Sequence, residues 1–167
     1  GGVAYSSRTA WWPAAESRAR RAFAAADRVI AVSRFIADAL RAAGCPEEKI
    51  RVHYIGVDTT RFTPDAAPRS ATDVLFVGRL VEKKGVIHLV RAMAEVRKSV
   101  PGAELVVAGD GPLREPLARQ AAQLGVPARF LGVQTPEQVQ QLMRRAAVLA
   151  GPSIADARGN AEGLPIT

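Results

Sequence analysis

The sequence predicts an α/β protein in which a parallel sheet carries helices on both faces. Three observations predict this fold class. Short apolar segments alternate with segments of helical periodicity over most of the 167 residues. The apolar segments hold few polar residues, as expected of strands that are buried on both sides. Polar loops follow these strands, at the edge where open α/β sheets bind ligands.

The composition, 48% hydrophobic and 23% charged, is typical of a globular protein. No apolar run reaches the roughly 18 residues needed to cross a bilayer, and the first residues lack the features of a signal peptide. The sequence does not begin with Met, so we expect it to start inside a longer protein. Cys45 is the only cysteine, which excludes an internal disulfide and fits a reducing cytoplasm.

The net charge of +7 raises the question of an anionic partner. The basic residues are scattered and no series of aromatic residues runs between them, so we do not expect nucleic-acid binding. A small polyanionic ligand or a peripheral contact with a membrane surface is left open.

The first part of the chain is predicted to contain a helix over 16–26, a strand over 28–32, a second helix after Ser33 and a strand over 49–55. Ser33 is the expected N-cap of the second helix, on which Phe35, Ala39 and Leu40 share one face. Gly44 is expected to end that helix.

After Gly56 the chain holds two prolines and many small polar residues without a sustained period, which is typical of a linker. We therefore predict one domain over 1–60, a linker over 61–72 and a second domain over 73–167.

The second domain shows a regular alternation. Strands are predicted in "DVLFVG", "AELVVAG", "ARFLG" and "AAVLAGPS", and helices lie between them. Pro116 is compatible with a helix only in its first turn, so that helix should begin near Arg114. Thr135 is the expected cap of a helix that runs to about Arg145.

The stretch "FVGRLVEKKGV" places Arg79, Lys83 and Lys84 directly after an apolar strand. An arginine offers a planar fork and a lysine a mobile charge, and a helix N-terminus opens near Gly85. This pattern indicates a diphosphate site. The alternative is a solvated turn in which Arg79 pairs with Glu82.

Two further loops hold candidate site residues. In "GDGP", Gly109 and Gly111 lack side chains that would block a ligand, although Gly-Asp-Gly is also an ordinary loop. In "NAEGLP", Glu162 could accept hydrogen bonds from sugar hydroxyls, although a loop glutamate is often simply exposed. His53 and His88 lack a catalytic or metal-binding pattern, and we interpret them as structural.

Four motifs occur in order: "FVGRLVEKKG", "LVVAGDGPL", "RFLGV" and "PSIADARGNAEGLPIT". Together they resemble the donor-binding half of the retaining family 4 glycosyltransferases with the GT-B fold, above all those that build exopolysaccharides of the colanic-acid type. "ADRVIAVSRFIADALRAAGCPEEKIRVHYIGVDTTRF" is similar to the end of the family's N-terminal domain. The resemblance implies that 1–60 belongs to an acceptor-side Rossmann-like domain and 73–167 to an incomplete donor domain.

The resemblance also implies roles for individual residues. Arg79 and Lys84 match the basic pair that holds the nucleotide diphosphate. Glu162 matches the first acid of the E-x7-E signature, which contacts the transferred sugar, and Gly163 and Leu164 match residues whose backbone amides face the donor. These roles make Glu162, Arg79 and Lys84 the expected catalytic residues.

The remaining donor-binding residues follow from the same resemblance. The segment from Arg129 through Leu131 to 132 lies where the family reads the base, chiefly through backbone groups. Gly78, Gly109 and Gly111 line the same cleft.

The implied activity is transfer of a hexose from a UDP- or GDP-linked sugar to a glycan or lipid-linked acceptor, with retention and without a cofactor or bound metal. We expect it in the cytoplasm, in cell-surface polysaccharide synthesis, with a contact at the inner membrane face left open. The second acid of the signature is due eight residues after Glu162, and the acceptor-side histidine before Gly1, so the chain alone should be inactive. Alternatives are a nucleotide-sugar 2-epimerase of the same fold and a non-catalytic α/β nucleotide-binding module.

Overall fold

The computed structural model describes residues 12–60, 62, 63, 69–157 and 162, with side chains from residue 17 onward. The chain divides into two compact units, Gly1–Val57 and Asp58–Thr167. The predicted linker over 61–72 therefore begins inside the second unit.

The first unit holds two helices and a short parallel sheet. Its elements are α1 (Trp12–Ala25), β1 (Val29–Ala31), α2 (Arg34–Ala42) and β2 (Ile50–Val52). β1 and β2 pair in parallel, with Val29 opposite Ile50. The predicted cap of α2 is confirmed, since the backbone N–H of Ile36 donates to Ser33 Oγ at 3.2 Å. Gly44 follows the helix with φ +84°, as the predicted stop requires.

The apolar face predicted for α2 is only partly buried. Phe35 is exposed, whereas Ala37 is fully buried with Ala31, and Leu40 packs against the same cluster. Ile36 also packs against this cluster, and the small Ala37 side chain is the buried one of the helix. β2 is also shorter than predicted, because Tyr54 lies beyond it in exposed coil.

The second unit confirms the predicted alternation of strands and helices. Its elements are β3 (Asp73–Val77), α3 (Val86–Ser99), β4 (Glu104–Ala108), α4 (Arg114–Gln123), β5 (Ala128–Gly132), α5 (Pro136–Arg145) and β6 (Val148–Leu149). The four strands lie in the order β5-β4-β3-β6 and all pair in parallel. β3 and β4 are thus the central strands.

Helices cover both faces of this sheet, which confirms the predicted fold class. Successive residues of a strand point to opposite faces, so β4 buries Leu105 and Val107 on one side and Val106 on the other. The first face packs against α3 and α4, which contribute Val86, Leu89, Val90, Met93, Leu117 and Ala121. The second face packs against α5 through Leu142 and Met143.

The predicted helix starts in this unit are confirmed. α4 begins at Arg114, so Pro116 lies in its first turn, where a proline is tolerated. α5 begins with a capping box in which the N–H of Gln138 donates to Thr135 Oγ1 at 3.3 Å and the Gln138 side chain accepts from the Thr135 N–H at 2.8 Å.

The expectation that every strand is buried on both sides is wrong for β6. Val148 and Leu149 are each about half exposed. In the part of the chain that the structure describes, β6 pairs only with β3 and forms an edge of the sheet, so its side chains have neighbours on one flank.

Candidate functional site

A tight turn follows the central strand β3 and carries the three cations. It contains a 3-10 turn over Glu82–Lys84 and then Gly85, which has φ +65° and precedes the first residue of α3. A Cβ at Gly85 would overlap the carbonyl oxygen of Pro152, so the loop after β6 crosses directly over this turn. The N–H of Ile154 donates to the Lys83 carbonyl at 2.9 Å and fixes the crossing.

The crossing loop also binds Glu82, because the N–H of Ala157 donates to Glu82 Oε1 at 3.2 Å. Arg79 is exposed, and its guanidinium makes no hydrogen bond or ion pair with any residue that the structure describes. The alternative in which Arg79 pairs with Glu82 is therefore not observed. Arg79 presents a free fork of donors at the carboxyl end of β3.

Glu162 returns to the same turn and lies between two lysines. Lys83 Nζ is 3.0 Å from Glu162 Oε1, and Lys84 Nζ is 3.3 Å from Oε2. The side chains of Glu162 and Lys84 are only 15% and 16% exposed, and that of Lys83 is 39% exposed. The lysines are thus engaged with a carboxylate, and the alternative of a solvated turn does not hold.

The electrostatics of this cluster favour the charged forms. Burial of Glu162 would by itself raise the pKa of its carboxyl, but Lys83 and Lys84 outweigh that effect and hold the pKa below its ordinary value. Oε1 receives the charge of Lys83 without a well-aligned hydrogen bond. That oxygen is itself buried, so its charge is met within the protein by Lys83.

The "GDGP" loop packs against the same turn through its glycines. Gly109 has φ +141°, and a Cβ there would overlap the carbonyl oxygen of Gly78. A Cβ on Gly111 would also lie too close to the backbone of Leu80, at 2.6 Å from its carbonyl oxygen. The two glycines are therefore required for contact between neighbouring loops, a reason that differs from the predicted approach of a ligand. Their contact with a ligand stays a prediction.

Gly78 lies directly beside Lys84. A Cβ on Gly78 would be 3.7 Å from Lys84 Cε, so the lysine stem passes over this glycine. The structure thus brings Gly78, Lys84 and Glu162 together, with Arg79 next in the chain.

The side chain of Arg129 is not brought to this edge. Its Nε donates to Glu104 Oε1 at 2.8 Å, and its guanidinium lies 3.7 Å from Asp73 Oδ2. Glu104 and Asp73 begin β4 and β3, so Arg129 lies at the amino ends of the strands. The amino and carboxyl ends of parallel strands lie at opposite ends of the sheet, and only the last residues of β5 reach the carboxyl end.

Leu131 contributes its side chain to the core under α5. Its carbonyl oxygen accepts a hydrogen bond from Gln134 Nε2 at 2.9 Å. A backbone contact between a base and this part of β5 stays a prediction. Gly163 and Leu164 lie outside the described residues.

Two side-chain contacts at the carboxyl edge were not predicted from the sequence. Lys83 pairs with Glu162, and its only sequence signal is its position beside Lys84. Arg114 donates from Nη2 to the Phe130 carbonyl at 3.2 Å and lies 3.4 Å from Asp110 Oδ2. Arg114 thereby joins the loop after β4 to the end of β5. The only feature of the sequence that pointed to Arg114 is its position at the start of α4.

Metal sites and membrane-spanning helices are two further features that the described part of the chain could hold. No group of three or more His, Cys, Asp or Glu side chains there is arranged to hold a metal ion. None of the helices there combines the length and apolar character needed to cross a membrane.

Both units match known families. Residues 60–167 match the family described as Glycosyl transferases group 1, and residues 2–61 match Glycosyltransferase Family 4. The putative colanic acid biosynthesis glycosyltransferase WcaL of Escherichia coli is 31% identical over 86% of this chain and 36% of its own length. A GDP-mannose-dependent alpha-(1-6)-phosphatidylinositol monomannoside mannosyltransferase of Mycolicibacterium smegmatis is 36% identical over 68% of this chain and 32% of its own length. The chain thus spans about a third of the length of these curated relatives.

Solved structures show the same fold. HepE of Anabaena in complex with UDP superposes with a TM-score of 0.71 at 24% identity, over 83% of this chain and 42% of that chain. The lipopolysaccharide outer core galactosyltransferase WaaB superposes with a TM-score of 0.58 at 26% identity, over 74% of this chain and 36% of that chain. These matches confirm the GT-B type of fold that the motifs predicted, and the chain belongs to the group 1 glycosyl transferases, with a first unit of the family 4 type.

Proposed function

We propose that the complete protein transfers a hexose from a nucleotide-diphosphate sugar to an acceptor hydroxyl on a glycan or lipid-linked saccharide. The observation that carries this proposal is the cluster at the end of β3. Arg79 is a free cation there, and Lys84 lies against Glu162 at 3.3 Å beside the start of α3.

The cluster suits a diphosphate for a physical reason. Arg79 can bind two phosphate oxygens at once, and Lys84 can approach from the other side of the turn as a point charge. The first backbone N–H groups of α3 add partial positive charge at the same place. Together they neutralise the charge that grows on a departing diphosphate.

Glu162 supplies a negative charge and hydrogen-bond acceptors, in contrast to the cations that face the diphosphate. A buried carboxylate held by two lysines can accept hydrogen bonds from sugar hydroxyls, which would orient the hexose relative to the diphosphate. The bond between the anomeric carbon and the diphosphate oxygen breaks, and its electron pair leaves with the diphosphate. The acceptor oxygen then bonds to the anomeric carbon on the same face, and the hydroxyl proton leaves with the nucleoside diphosphate.

The relatives support the substrate class. WcaL and AmsK are named for colanic acid and amylovoran biosynthesis, and the mycobacterial relatives are named as GDP-mannose-dependent. HepE has been solved with UDP and with UDP-glucose. We therefore propose a role in cell-surface polysaccharide synthesis, with a UDP- or GDP-linked sugar as donor.

The experiment is a transfer assay on the complete protein with UDP-glucose and with GDP-mannose, each with and without a pool of lipid-linked saccharides. We expect release of UDP or GDP that depends on the acceptor, and a product with retained anomeric configuration. Turnover should be unchanged by EDTA, because Arg79, Lys84 and the α3 N-terminus meet the charge of the diphosphate.

Two outcomes would contradict the proposal. Interconversion of the donor sugar without any acceptor would indicate a 2-epimerase of the same fold. Absence of binding in titrations with UDP and GDP would indicate a non-catalytic α/β module.

A further inference from the structure

Glu162 is a single carboxylate between two ammonium groups, with one lysine on each oxygen. The two contacts are independent, because Lys83 meets Oε1 and Lys84 meets Oε2. The stem of Lys84 lies over Gly78, the residue that precedes Arg79 at the end of β3. Lys83 follows a different direction from the adjacent residue of the turn, and its role is not explained by the diphosphate.

Donor binding would change the balance of charge in this cluster, and this step rests on the proposed function. A diphosphate at Arg79 draws the charge of Lys84 toward its own oxygens. Glu162, which is only 15% exposed, would then face an anion with one counterion fewer. A carboxylate in that position favours protonation, because burial and a neighbouring negative charge both raise its pKa. A protonated Glu162 is a weaker acceptor for sugar hydroxyls.

We propose that Lys83 is the positioning residue that serves as the dedicated counterion of Glu162 while Lys84 binds the diphosphate. The hydrogen bond from Ile154 N–H to the Lys83 carbonyl holds this residue in the turn. The 3.0 Å contact with Oε1 does not involve Lys84, so it persists when Lys84 turns toward a ligand. The pair of lysines thus divides two tasks that a single lysine could not perform together.

Among the described residues of the turn after β3 and of the loop after β6, the other charged groups are Arg79, Glu82 and Asp156. In the described part of the chain, Glu162 forms ion pairs with Lys83 and Lys84 only. Glu82 accepts a hydrogen bond from Ala157, and Arg79 has no partner there. After removal of Lys83, Lys84 is the one counterion that the described residues supply to Glu162.

The test measures proton uptake when the complete protein binds UDP-glucose and GDP-mannose. Both phosphates of these donors are esterified, so the ligand does not titrate near neutral pH. Binding is followed by calorimetry near pH 6 in buffers of different ionisation enthalpy. The variants are Lys83→Met, Lys83→Arg, Glu162→Gln and the double variant of Lys83→Met with Glu162→Gln.

We expect the wild-type protein to bind its donor without net proton uptake. Lys83→Met should bind about tenfold more weakly near neutral pH, as loss of one charge-assisted contact predicts. Its binding should take up a proton and strengthen as the pH falls, and Lys83→Arg should restore the wild-type behaviour. In the Glu162→Gln background, Lys83→Met should cause no proton uptake. Lys98→Met is the matched control, since Lys98 forms an exposed pair with Glu95 on the same helix α3.

Three outcomes would overturn the inference. The first is that Lys83→Met binds the donor without proton uptake. The second is that Lys83→Met lowers the affinity equally in the wild-type protein and in Glu162→Gln. The third is that Lys83→Arg fails to restore binding. If the wild-type protein binds neither donor, the proposed function itself fails. If the wild-type protein binds a donor and Lys83→Met binds it with the same affinity, the proposed function stands and only the role of Lys83 is refuted.

Discussion

Gly109 lies against Gly78 so closely that a Cβ on Gly109 would overlap the Gly78 carbonyl oxygen. The N–H of Gly78 donates to the Ala108 carbonyl at 2.9 Å, and the N–H of Gly109 donates to the Gly132 carbonyl at 2.7 Å. These backbone hydrogen bonds join the carboxyl ends of β3, β4 and β5. Arg79 follows directly, so its position depends on this junction.

Gly109→Ala should destabilise the second unit and displace the turn that carries Arg79. The methyl group has no space at φ +141°, and the atoms that it meets belong to the backbone. We expect a loss of about 2 kcal/mol in the free energy of unfolding, measured with urea on the complete protein. Gly102→Ala is the control, because its Cβ would make only an ordinary contact of 3.7 Å with Thr72. Equal stability of the two variants would contradict the packing argument.

Arg79→Ala and Lys84→Ala should each weaken nucleotide-sugar binding or turnover by about ten- to a hundredfold, the range expected for loss of a charge-assisted contact. The two variants should differ in stability. Arg79 has no partner among the described residues, so its removal should leave the free energy of unfolding unchanged, whereas removal of Lys84 deprives Glu162 of a counterion.

Affinity for UDP and GDP and the urea midpoint are the measurements for this pair of variants. Arg91→Ala, at an exposed position of α3, is the matched control. Unchanged kinetics in both Arg79→Ala and Lys84→Ala would refute the diphosphate site.

Glu162 should make the stability of the protein depend on pH in the acid range. Its pKa in the folded protein is lowered, so its contribution is present above the unfolded value near 4.5 and is lost as the pH falls through the folded value. Glu162→Gln should therefore be less stable than the wild-type protein at about pH 7, and the difference should shrink on acidification below about pH 4.

Urea unfolding across this pH range measures the effect. Glu95→Gln removes an exposed partner of Lys98 and should show little difference at any pH. A constant difference between Glu162→Gln and the wild-type protein at all pH values would show that the carboxylate charge does not stabilise the cluster.

Local sequence signals were sufficient for most of the elements. These signals are the alternation of apolar strands and amphipathic helices, the caps Ser33 and Thr135, and Pro116, which requires α4 to begin no earlier than about Arg114. Each depends on neighbours within one turn or strand. The errors fell where distant packing selects between local possibilities. Phe35 and Ala37 belong to two possible faces of α2, and only the contact with Ala31 decides which is buried.

The candidate site shows the same division. The order of four motifs and the rule that ligands lie at the carboxyl ends of parallel strands predicted Arg79, Lys84 and Glu162 as one site. The sequence could not place the side chain of Arg129, because a residue at the start of a strand and one at its end lie at opposite edges of the sheet. It also could not predict the pairing of Lys83 with Glu162 or the contact of Arg114 with Phe130, because these partners are distant in the chain.

The sequence by itself therefore determined the α/β class and the family, and it predicted an anion-binding turn after β3, because periodicity, caps and motif order are properties of neighbouring residues. Only the tertiary structure decided which charges meet. Lys83, Lys84 and Glu162 become partners because the loop after β6 crosses the turn at Gly85 and Pro152, and that crossing depends on parallel pairing of β3 with β6. The interaction energy of an ion pair falls as the charges move apart, so a few ångströms in the packing determine which carboxylate a lysine contacts.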